Sequence, residues 1–369
     1  MKFQIQKNIL DQVLETVSKY TDPINSFYAL RCILIRVERE KIYFFGKSEI
    51  TSIIKNVDVD DTNVIVEETG EFLINASLFK NAVKKLNDLI TIKLNYNQLE
   101  IKQGSSFYSL HTSPATNFPI LDINILKKTK QITINREEFK KAIKNVIFAV
   151  STENNLIYKA INVILKKNKL IFNATDTFRL AHTSIKVSNP NDYEFNLSIL
   201  GRELKDLIPL EADENINLFF DEMRFGITYK NTIIYARVID IPYNNVETLF
   251  TNFVTKYKIE TTKEAIMDTI NKVYLQFGEK QVRIEFKFKS NEMECNYRLD
   301  EIGTSQAKTT EISLDGSPFE LDLNYNFVKD ALSVFTGKII MLVDEKCRKI
   351  LFLSRENEAT KQLITPLNK

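Results

Sequence analysis

Tryptophan is absent from the 369-residue chain, and glycine, cysteine and histidine are scarce, at nine, three and two residues. So little glycine excludes the glycine-rich loops with which P-loop enzymes cradle phosphates. Cys32, Cys295 and Cys347 lie far apart and form no Cys-x-x-Cys pair, which argues against a disulfide framework or a zinc site. Neither His111 nor His182 has a metal ligand three or four residues further on. We therefore expect no metal and no cofactor.

Long apolar runs are also missing, since none approaches the roughly 20 residues that cross a bilayer. The first eleven residues are too polar for a signal peptide, so we expect a cytoplasmic protein. The net charge is only +2, and any nucleic-acid binding must therefore come from charge sorted onto one face. The abundance of Lys, Asn and Ile is attributed to the composition bias of an AT-rich genome. The length suits two or three domains.

An internal repeat is the main organisational signal, with a period of about 125 to 130 residues. A short alternating strand followed by an amphipathic helix occurs three times: 2–5 with 9–17, 131–134 with 139–150, and 257–259 with 266–273. A second helix recurs later in each copy, at 76–87, 201–208 and 324–335. Alternating segments at 41–45, 90–94, 217–220, 283–288 and 339–343 predict further strands.

These patterns predict an α+β protein of three similar domains, each with two helices packed on antiparallel sheets. The predicted domains cover residues 1–124, 131–251 and 257–369. The linkers are short and poor in Pro and Gly, so we expect the domains to be held rigidly.

One hairpin stands out, between an apolar strand that ends at Phe172 and an apolar return that begins at Phe178. Asp and Thr side chains can hydrogen-bond their own backbone, so Thr175-Asp176-Thr177 predicts a fixed turn. Arg179 beside Phe178 and Leu180 could line a pocket. The alternative is an ordinary hairpin in which Asp176 and Arg179 form a weak surface ion pair.

The repeated helices carry cations away from their apolar stripes. Residues three or four apart share one face of a helix, and the pairs are Lys80 with Lys84, Lys140 with Lys144, and Arg202 with Lys205. The alternative is an ordinary solvated helix face. If these faces meet nucleic acid, the cations would contact its phosphates.

The hairpin motif Thr175-Asp176-x-x-Arg179-Leu180-Ala181 resembles the Thr-Asp-Gly-His-Arg-Leu-Ala signature of the bacterial DNA polymerase III beta subunits, the sliding clamps. Further segments are similar to that family in the same order, at 1–3, 113–119, 327–332 and 363–367. The resemblance implies the DNA-clamp (processivity) fold and a head-to-tail dimeric ring. It implies a non-enzymatic processivity subunit that encircles double-stranded DNA without sequence preference. The implied partners are the polymerase III alpha subunit, the clamp-loader delta subunit, other replication and repair polymerases, ligase-type enzymes, and a second copy of the chain.

The same resemblance implies a mostly apolar pocket that captures peptides of these partners. Its residues would be Thr175, Thr177, Phe178, Arg179, Leu180, Pro242, Val246, Asn324, Phe327, Leu363, Thr365, Pro366 and Leu367. Two positions depart from the family pattern. Thr177 replaces a Gly, where a Cβ would penalise positive φ, and Phe178 replaces a His. Without the resemblance, 363–367 would be a frayed terminus or a final edge strand.

The resemblance also assigns DNA contacts and a dimer interface. Asn154, Tyr158 and Lys159 fall where the family touches DNA, but two basic residues of relatives are missing near Ile24 and Ser77. The interface would join Tyr108 and Leu110 of one chain to Val273 and Tyr274 of the other, although all four also suit a domain core.

Two other functions compete with a clamp. Asp58, Asp60 and Asp61 could hold metals in a nuclease, although a strand-hairpin turn explains them more simply. A peptide-binding scaffold that never encircles DNA is the other alternative.

Overall fold

A computed structural model of the protein describes residues 1–276, 282–299 and 303–367. The chain forms two compact units, Met1–Arg136 with Asp206–Val238 (the first unit) and Glu137–Lys205 with Ile239–Lys369 (the second unit). Residues of the predicted middle domain occur in both, because its strands extend one sheet in each unit. The division into three repeats stays a prediction.

Short strands make up most of the regular structure, and a few helices interrupt them. In chain order, the strands are Lys2–Gln6 (β1), Cys32–Val37 (β2), Lys41–Lys47 (β3), Thr51–Asp58 (β4), Val64–Glu68 (β5), Gly70–Asn75 (β6), Leu89–Asn95 (β7), Gln98–Gln103 (β8), Ser106–His111 (β9), Lys130–Asn135 (β10), Ala160–Lys166 (β11), Lys169–Thr175 (β12), Arg179–Lys186 (β13), Phe195–Leu200 (β14), Asn215–Phe220 (β15), Arg224–Tyr229 (β16), Thr232–Arg237 (β17), Thr255–Thr262 (β18), Arg283–Lys289 (β19), Glu292–Leu299 (β20), Gly303–Thr309 (β21), Ile312–Asp315 (β22), Phe319–Asn324 (β23), Lys338–Asp344 (β24), Ile350–Leu353 (β25) and Lys361–Ile364 (β26). The α-helices are Lys7–Ser18 (α1), Ala76–Val83 (α2), Arg136–Lys144 (α3), Gly201–Lys205 (α4), Thr248–Thr251 (α5), Lys263–Val273 (α6) and Tyr325–Ser333 (α7).

The first unit contains two antiparallel sheets. The larger has eight strands in the order β10-β15-β16-β17-β4-β3-β2-β6, and the smaller has five in the order β5-β1-β7-β8-β9. Strands β4 and β17 pair along their lengths although they are distant in sequence. For example, Lys55 lies opposite Thr232, 177 residues further along the chain. This seam makes one continuous sheet from distant parts of the sequence.

The second unit repeats this plan. Among its described residues, nine strands follow the order β14-β11-β12-β13-β26-β25-β24-β18-β22, and four follow β21-β20-β19-β23. The seam here joins β13 to β26, with Arg179 opposite Ile364 and His182 opposite Lys361. Phe286, Phe288 and other buried side chains of β19, β20, α6 and α7 form its main apolar core.

The helices form where apolar spacing and capping residues agree. Helix α1 buries Leu10, Val13, Leu14 and Val17 along one stripe. The side chain of Asn75 caps α2, and Thr262 and Asn324 cap α6 and α7 in the same way. The strand-then-helix order predicted for each repeat is therefore confirmed.

Three details of the predicted helices were wrong. The helix predicted at 76–87 ends at Val83, and its Leu78, which the apolar spacing predicts to be buried, is 58% exposed. The helix predicted at 139–150 ends at Lys144, because Val146 leaves helical geometry and a 3-10 turn follows over Ile147–Ala149. The helix predicted at 201–208 is the single turn of α4.

Each of the four sheets has two edge strands that pair on one side only within the described residues, and two of these eight strands lie next to predicted interface residues or to α6. These two are β9 in the first unit and β21 in the second. None of the described helices has the length and apolar character needed to cross a membrane.

Candidate functional site

The turn of the β12–β13 hairpin is held by its own side chains. Asp176 Oδ1 accepts hydrogen bonds from the backbone N–H groups of Phe178 (3.0 Å) and Arg179 (2.9 Å). Thr175 Oγ1 accepts from the Thr177 N–H at 3.1 Å and donates to the Arg179 carbonyl at 2.6 Å. The turn predicted from Thr175-Asp176-Thr177 is confirmed, and its shape is fixed from within.

The departure at Thr177 has the predicted conformational consequence. Thr177 has φ of +80°, a region that glycine enters without steric cost and other residues rarely adopt. The strained residue presents its neighbour Phe178 to solvent, with 57% of that side chain exposed. An exposed aromatic ring on a rigid turn is suited to contact an apolar ligand.

Arg179 is held between two carboxylates and two aromatic rings. Its Nε donates to Asp176 Oδ2 at 2.9 Å, and its Nη1 donates to Asp330 Oδ2 of α7 at 2.6 Å. The guanidinium also lies 4.7 Å from the ring centre of Phe327 and 5.8 Å from that of Phe148. Only 14% of the Arg179 side chain is exposed. The ion pair with Asp176 exists, but it is not the exposed surface pair of the alternative interpretation, since Arg179 ties the hairpin to α7.

The C-terminal tail is fixed beside the same turn. Leu363 lies opposite Leu180 in the β13–β26 ladder. Beyond β26, the Thr365 N–H and hydroxyl both donate to the carbonyl of Phe178, at 2.9 and 3.0 Å. The Leu367 N–H donates to the Asp322 carbonyl at 2.8 Å. A frayed terminus and an edge strand are both wrong for this segment, because β26 lies between β13 and β25.

An apolar cluster underlies the turn and the tail. Leu180, Val246, Leu351 and Leu363 are buried in it. Half-buried apolar side chains surround these four, namely Tyr243, Leu249, Phe250, Phe253, Leu342 and Leu353. Sequence reasoning identified Leu180, Val246 and Leu363 but missed the aromatic residues of 243–253. Their clustering in one stretch of sequence was the available signal.

The remaining predicted pocket residues differ in accessibility. Phe327 is half-buried and contacts Arg179, while Pro366 is half-buried in the tail. Pro242 is exposed. Asn324 is 3% exposed, and its side chain accepts from the Asn326 N–H to cap α7. Asn324 therefore positions the helix that carries Phe327.

The lysines predicted on α2 share a carboxylate partner. Lys80 Nζ lies 2.6 Å from Glu15 Oε2, and Lys84 Nζ lies 2.8 Å from Glu15 Oε1. Hydrogen bonds from these two ammonium groups lower the pKa of Glu15 from its ordinary 4.5 to about 2. Glu15 therefore stays ionised and offsets part of the positive charge on this face of the first unit.

The cations predicted in the second unit are more exposed. Lys144 and Lys205 are exposed, Lys140 is half-buried, and Arg202 is 86% exposed although it pairs with Glu203 at 3.2 Å. Asn154 is exposed; Tyr158 and Lys159 are half-buried in the 3-10 helix Leu156–Lys159, which the Asn155 side chain caps.

The four predicted interface residues divide into two pairs. Tyr108 and Leu110 are half-buried on the open strand β9, where the neighbouring Phe107 is 54% exposed. Val273 is completely buried in the core, and the half-buried Tyr274 stacks on Tyr325 with ring centres 4.2 Å apart.

Comparison with known proteins gives one consistent result. Models of the DNA polymerase III beta subunit match this chain at 1–122 for the N-terminal domain and at 133–245 for the central domain. The beta sliding clamp of Mycoplasmopsis pulmonis is 29% identical over 375 residues, and that of Bacillus subtilis is 26% identical over 380 residues. Both alignments cover 100% of this chain and 99% of the relative.

Solved structures agree in fold along the whole chain. A DNA polymerase sliding clamp from Bacillus subtilis has a TM-score of 0.90 at 23% identity, covering 100% of this chain and 99% of that one. The DNA polymerase III subunit beta from Pseudomonas aeruginosa has a TM-score of 0.90 at 18% identity, with 100% of both chains covered. The chain belongs to the bacterial DNA polymerase III beta subunit family, the beta sliding clamps.

Proposed function

We propose that this protein is a non-enzymatic sliding clamp, which tethers a replicative DNA polymerase to duplex DNA and thereby confers processivity. The observation that carries the proposal is the match to beta sliding clamps over the full chain, together with the apolar cluster beside the 175–179 turn, which we call the peptide groove. A clamp acts where the chromosome is, which in bacteria is the cytoplasm.

The proposed ring consists of two chains joined head to tail around the duplex. A closed ring keeps DNA by topology, so its phosphate contacts can be weak enough to allow sliding. Sequence-independent phosphate contacts require exposed cations, and Lys144 and Lys205 meet this requirement best. The pairing of Lys80 and Lys84 with Glu15 weakens the contribution proposed for α2.

The open strand edges support an interface between chains. We propose that β9 of one chain meets β21 of its partner, because each has an unpaired side that another strand can satisfy. Phe107 and Leu275, both 54% exposed, are the apolar residues we expect to be covered there. Val273 is fully buried, so its side chain cannot contact the partner chain directly. We propose instead that Val273 supports Tyr274 and Leu275 from within the core.

The groove beside the 175–179 turn is proposed to take the peptides of partner enzymes. The exposed Phe178, the half-buried Phe327 and the tail lie beside the turn, and the adjoining Leu180 and Leu363 belong to the buried apolar cluster. Such a groove favours Leu and Phe anchors. The proposed donors are the polymerase III alpha subunit, the clamp-loader delta subunit, other replication and repair polymerases, and ligase-type enzymes.

A nuclease is less well supported. Asp60 Oδ1 accepts from the N–H groups of Thr62, Asn63 and Val64 at 3.0, 2.7 and 2.9 Å. Hydrogen bonds from the Asn63 side chain and these N–H groups hold the pKa of Asp60 well below its usual range. Its oxygens are occupied by its own turn, which supports a structural role.

Retention on DNA tests the proposal. The protein is loaded onto nicked circular DNA by its cognate clamp loader, and the DNA is then linearised by a restriction enzyme. A sliding ring stays on the circle and is lost from the free ends. Equal retention on both forms, or none on either with peptide binding intact, would instead support a scaffold that does not encircle DNA. Release of nucleotides with Mg²⁺ would indicate the nuclease.

A further inference from the structure

A lysine-rich cleft lies on the same sheet face as the peptide groove, at the far end of β13. We call it the lysine cleft; its volume is about 780 Å³, and its lining includes Lys166, Lys167, Lys169, Lys186 and Glu247. All four lysines are exposed. The cleft is separate from the residues that the family resemblance assigned.

The four lysines are placed against one another. Lys166 lies directly opposite Lys169 in the β11–β12 ladder, and Lys169 lies directly opposite Lys186 in the β12–β13 ladder. Like charges at directly opposed positions destabilise a sheet. None of these lysines forms an ion pair within the part of the chain that the structure describes. Glu247 is the one carboxylate among the described lining residues, against four lysines, so the cleft keeps an excess of positive charge that an external anion would offset.

The hairpin that carries these lysines is fixed in place. The Asn189 side chain donates to the Lys167 carbonyl at 2.8 Å, and the Val187 N–H donates to the Asn168 carbonyl at 3.0 Å. Asn189 itself is 6% exposed. The backbone that carries the positive charges is thus fixed before any ligand arrives, which lowers the entropic cost of binding.

The lysine cleft and the peptide groove are continuous along β13. Leu180 lies in the apolar cluster of the groove, and His182, Ser184 and Lys186 follow on the same face because strand side chains alternate. Lys186 lies six positions after Leu180 along the strand, at a distance of about 20 Å. Positive charge affects ionisation on this strand face. Burial is the main cause that lowers the pKa of His182 to about 4, and the charges of Lys361 and Lys169 lower it further.

The segment 246–251, which contains the short helix α5, contacts both the peptide groove and the lysine cleft. Val246, just before α5, is buried in the apolar cluster, whereas the adjacent Glu247 lines the lysine cleft. Phe250 of α5 packs against His182, with ring centres 5.4 Å apart. A partner peptide anchored in the peptide groove therefore has to pass only the short segment around α5 to reach the lysines.

We propose that the lysine cleft binds an acidic segment flanking the apolar anchor of a partner peptide, so that charge outside the groove selects among partners. This inference rests on the proposed function of the groove. The distance needs about six extended residues between anchor and acidic stretch. An acidic peptide suits the cleft better than single-stranded nucleic acid, because the described residues that line it include no Phe or Tyr on which bases would stack.

Peptide binding to the full chain tests the inference. Three labelled peptides are compared: a Leu/Phe anchor alone, and the anchor with an acidic extension placed about six residues from either end. We expect one extension to tighten binding by about fivefold or more at low salt and less at high salt. The double variant Lys169→Gln/Lys186→Gln should abolish this gain without changing the affinity for the anchor alone. The variant Lys127→Gln, at an exposed lysine of the first unit, is the matched control.

The outcomes separate the two proposals. If the anchor peptide fails to bind the unaltered protein, the groove assignment is overturned and the cleft inference falls with it. If the anchor binds but neither extension improves its affinity, or the gain survives in the double variant, only the lysine cleft is overturned. Oligothymidylate is the probe for a nucleic-acid site. If it binds more tightly than the acidic peptides and loses affinity in the double variant, the lysine cleft is a nucleic-acid site and the inference is overturned.

Discussion

Arg179 of the hairpin turn and Asp330 of α7 are joined by a hydrogen-bonded ion pair of 2.6 Å, although 151 residues separate them in sequence. The pair links the rim formed by Phe178 to the helix that carries Phe327. The shape of the peptide groove therefore depends on a contact between distant segments.

Replacing Asp330 should loosen the groove. Asp330→Ala leaves Arg179 with Asp176 alone, and we expect the free energy of unfolding to fall by about 1–2 kcal/mol, since the lost hydrogen bond is charge-assisted but partly exposed. Anchor-peptide affinity should fall several-fold, as measured by fluorescence anisotropy. Asp268→Ala, at an exposed carboxylate on α6, should leave both quantities unchanged. Unchanged peptide affinity in Asp330→Ala would show that the ion pair does not shape the groove.

Replacing Thr177 with glycine should stabilise the protein. At φ of +80° the threonine Cβ is strained, and glycine relieves the strain while losing more chain entropy on folding. We expect a net gain of roughly 0.5–1 kcal/mol in denaturant unfolding. Thr177→Ala keeps a Cβ and should show no such gain. A less stable Thr177→Gly protein would mean that the threonine side chain makes a contact that outweighs the strain.

The contribution of Glu15 should depend on pH in a defined direction. Its folded pKa of about 2 lies below its ordinary 4.5, so its stabilising effect is present above about pH 4.5 and is lost as the pH falls toward 2. The unaltered protein should therefore exceed Glu15→Gln in unfolding free energy at neutral pH, with the difference shrinking at about pH 3. A difference that is constant over this range would rule out the ionised carboxylate as its source.

Phe107 should be required for dimers. Phe107→Glu places a charge on the open strand β9, and desolvating it in an interface is unfavourable. We expect monomers in sedimentation velocity at concentrations where the unaltered protein is dimeric. Tyr96→Glu, at a fully solvated ring in the hairpin between β7 and β8, is the matched control and should remain dimeric. A dimeric Phe107→Glu protein would move the interface away from β9.

The sequence predicted local features well and distant pairings poorly. The 175–177 turn and the strand-then-helix order follow from neighbours in the chain, and the structure confirms them, whereas three of the predicted helices end earlier than expected. The pairing of Lys80 and Lys84 with Glu15 joins two helices, and no spacing rule reveals it. An apolar residue at position 273 suits either a subunit interface or a domain core, and the sequence does not distinguish the two. The packing of α6 shows that Val273 belongs to the core.

The two seams, β4 with β17 and β13 with β26, have a mechanical consequence. Each joins separate stretches of the chain through a ladder of backbone hydrogen bonds within one sheet. Separating the two strands of such a ladder breaks several backbone hydrogen bonds at once and exposes apolar side chains on both faces of the sheet. Under tension the chain should yield elsewhere first, so a ring made of two such chains would be expected to part at the junction between subunits, which no covalent backbone crosses.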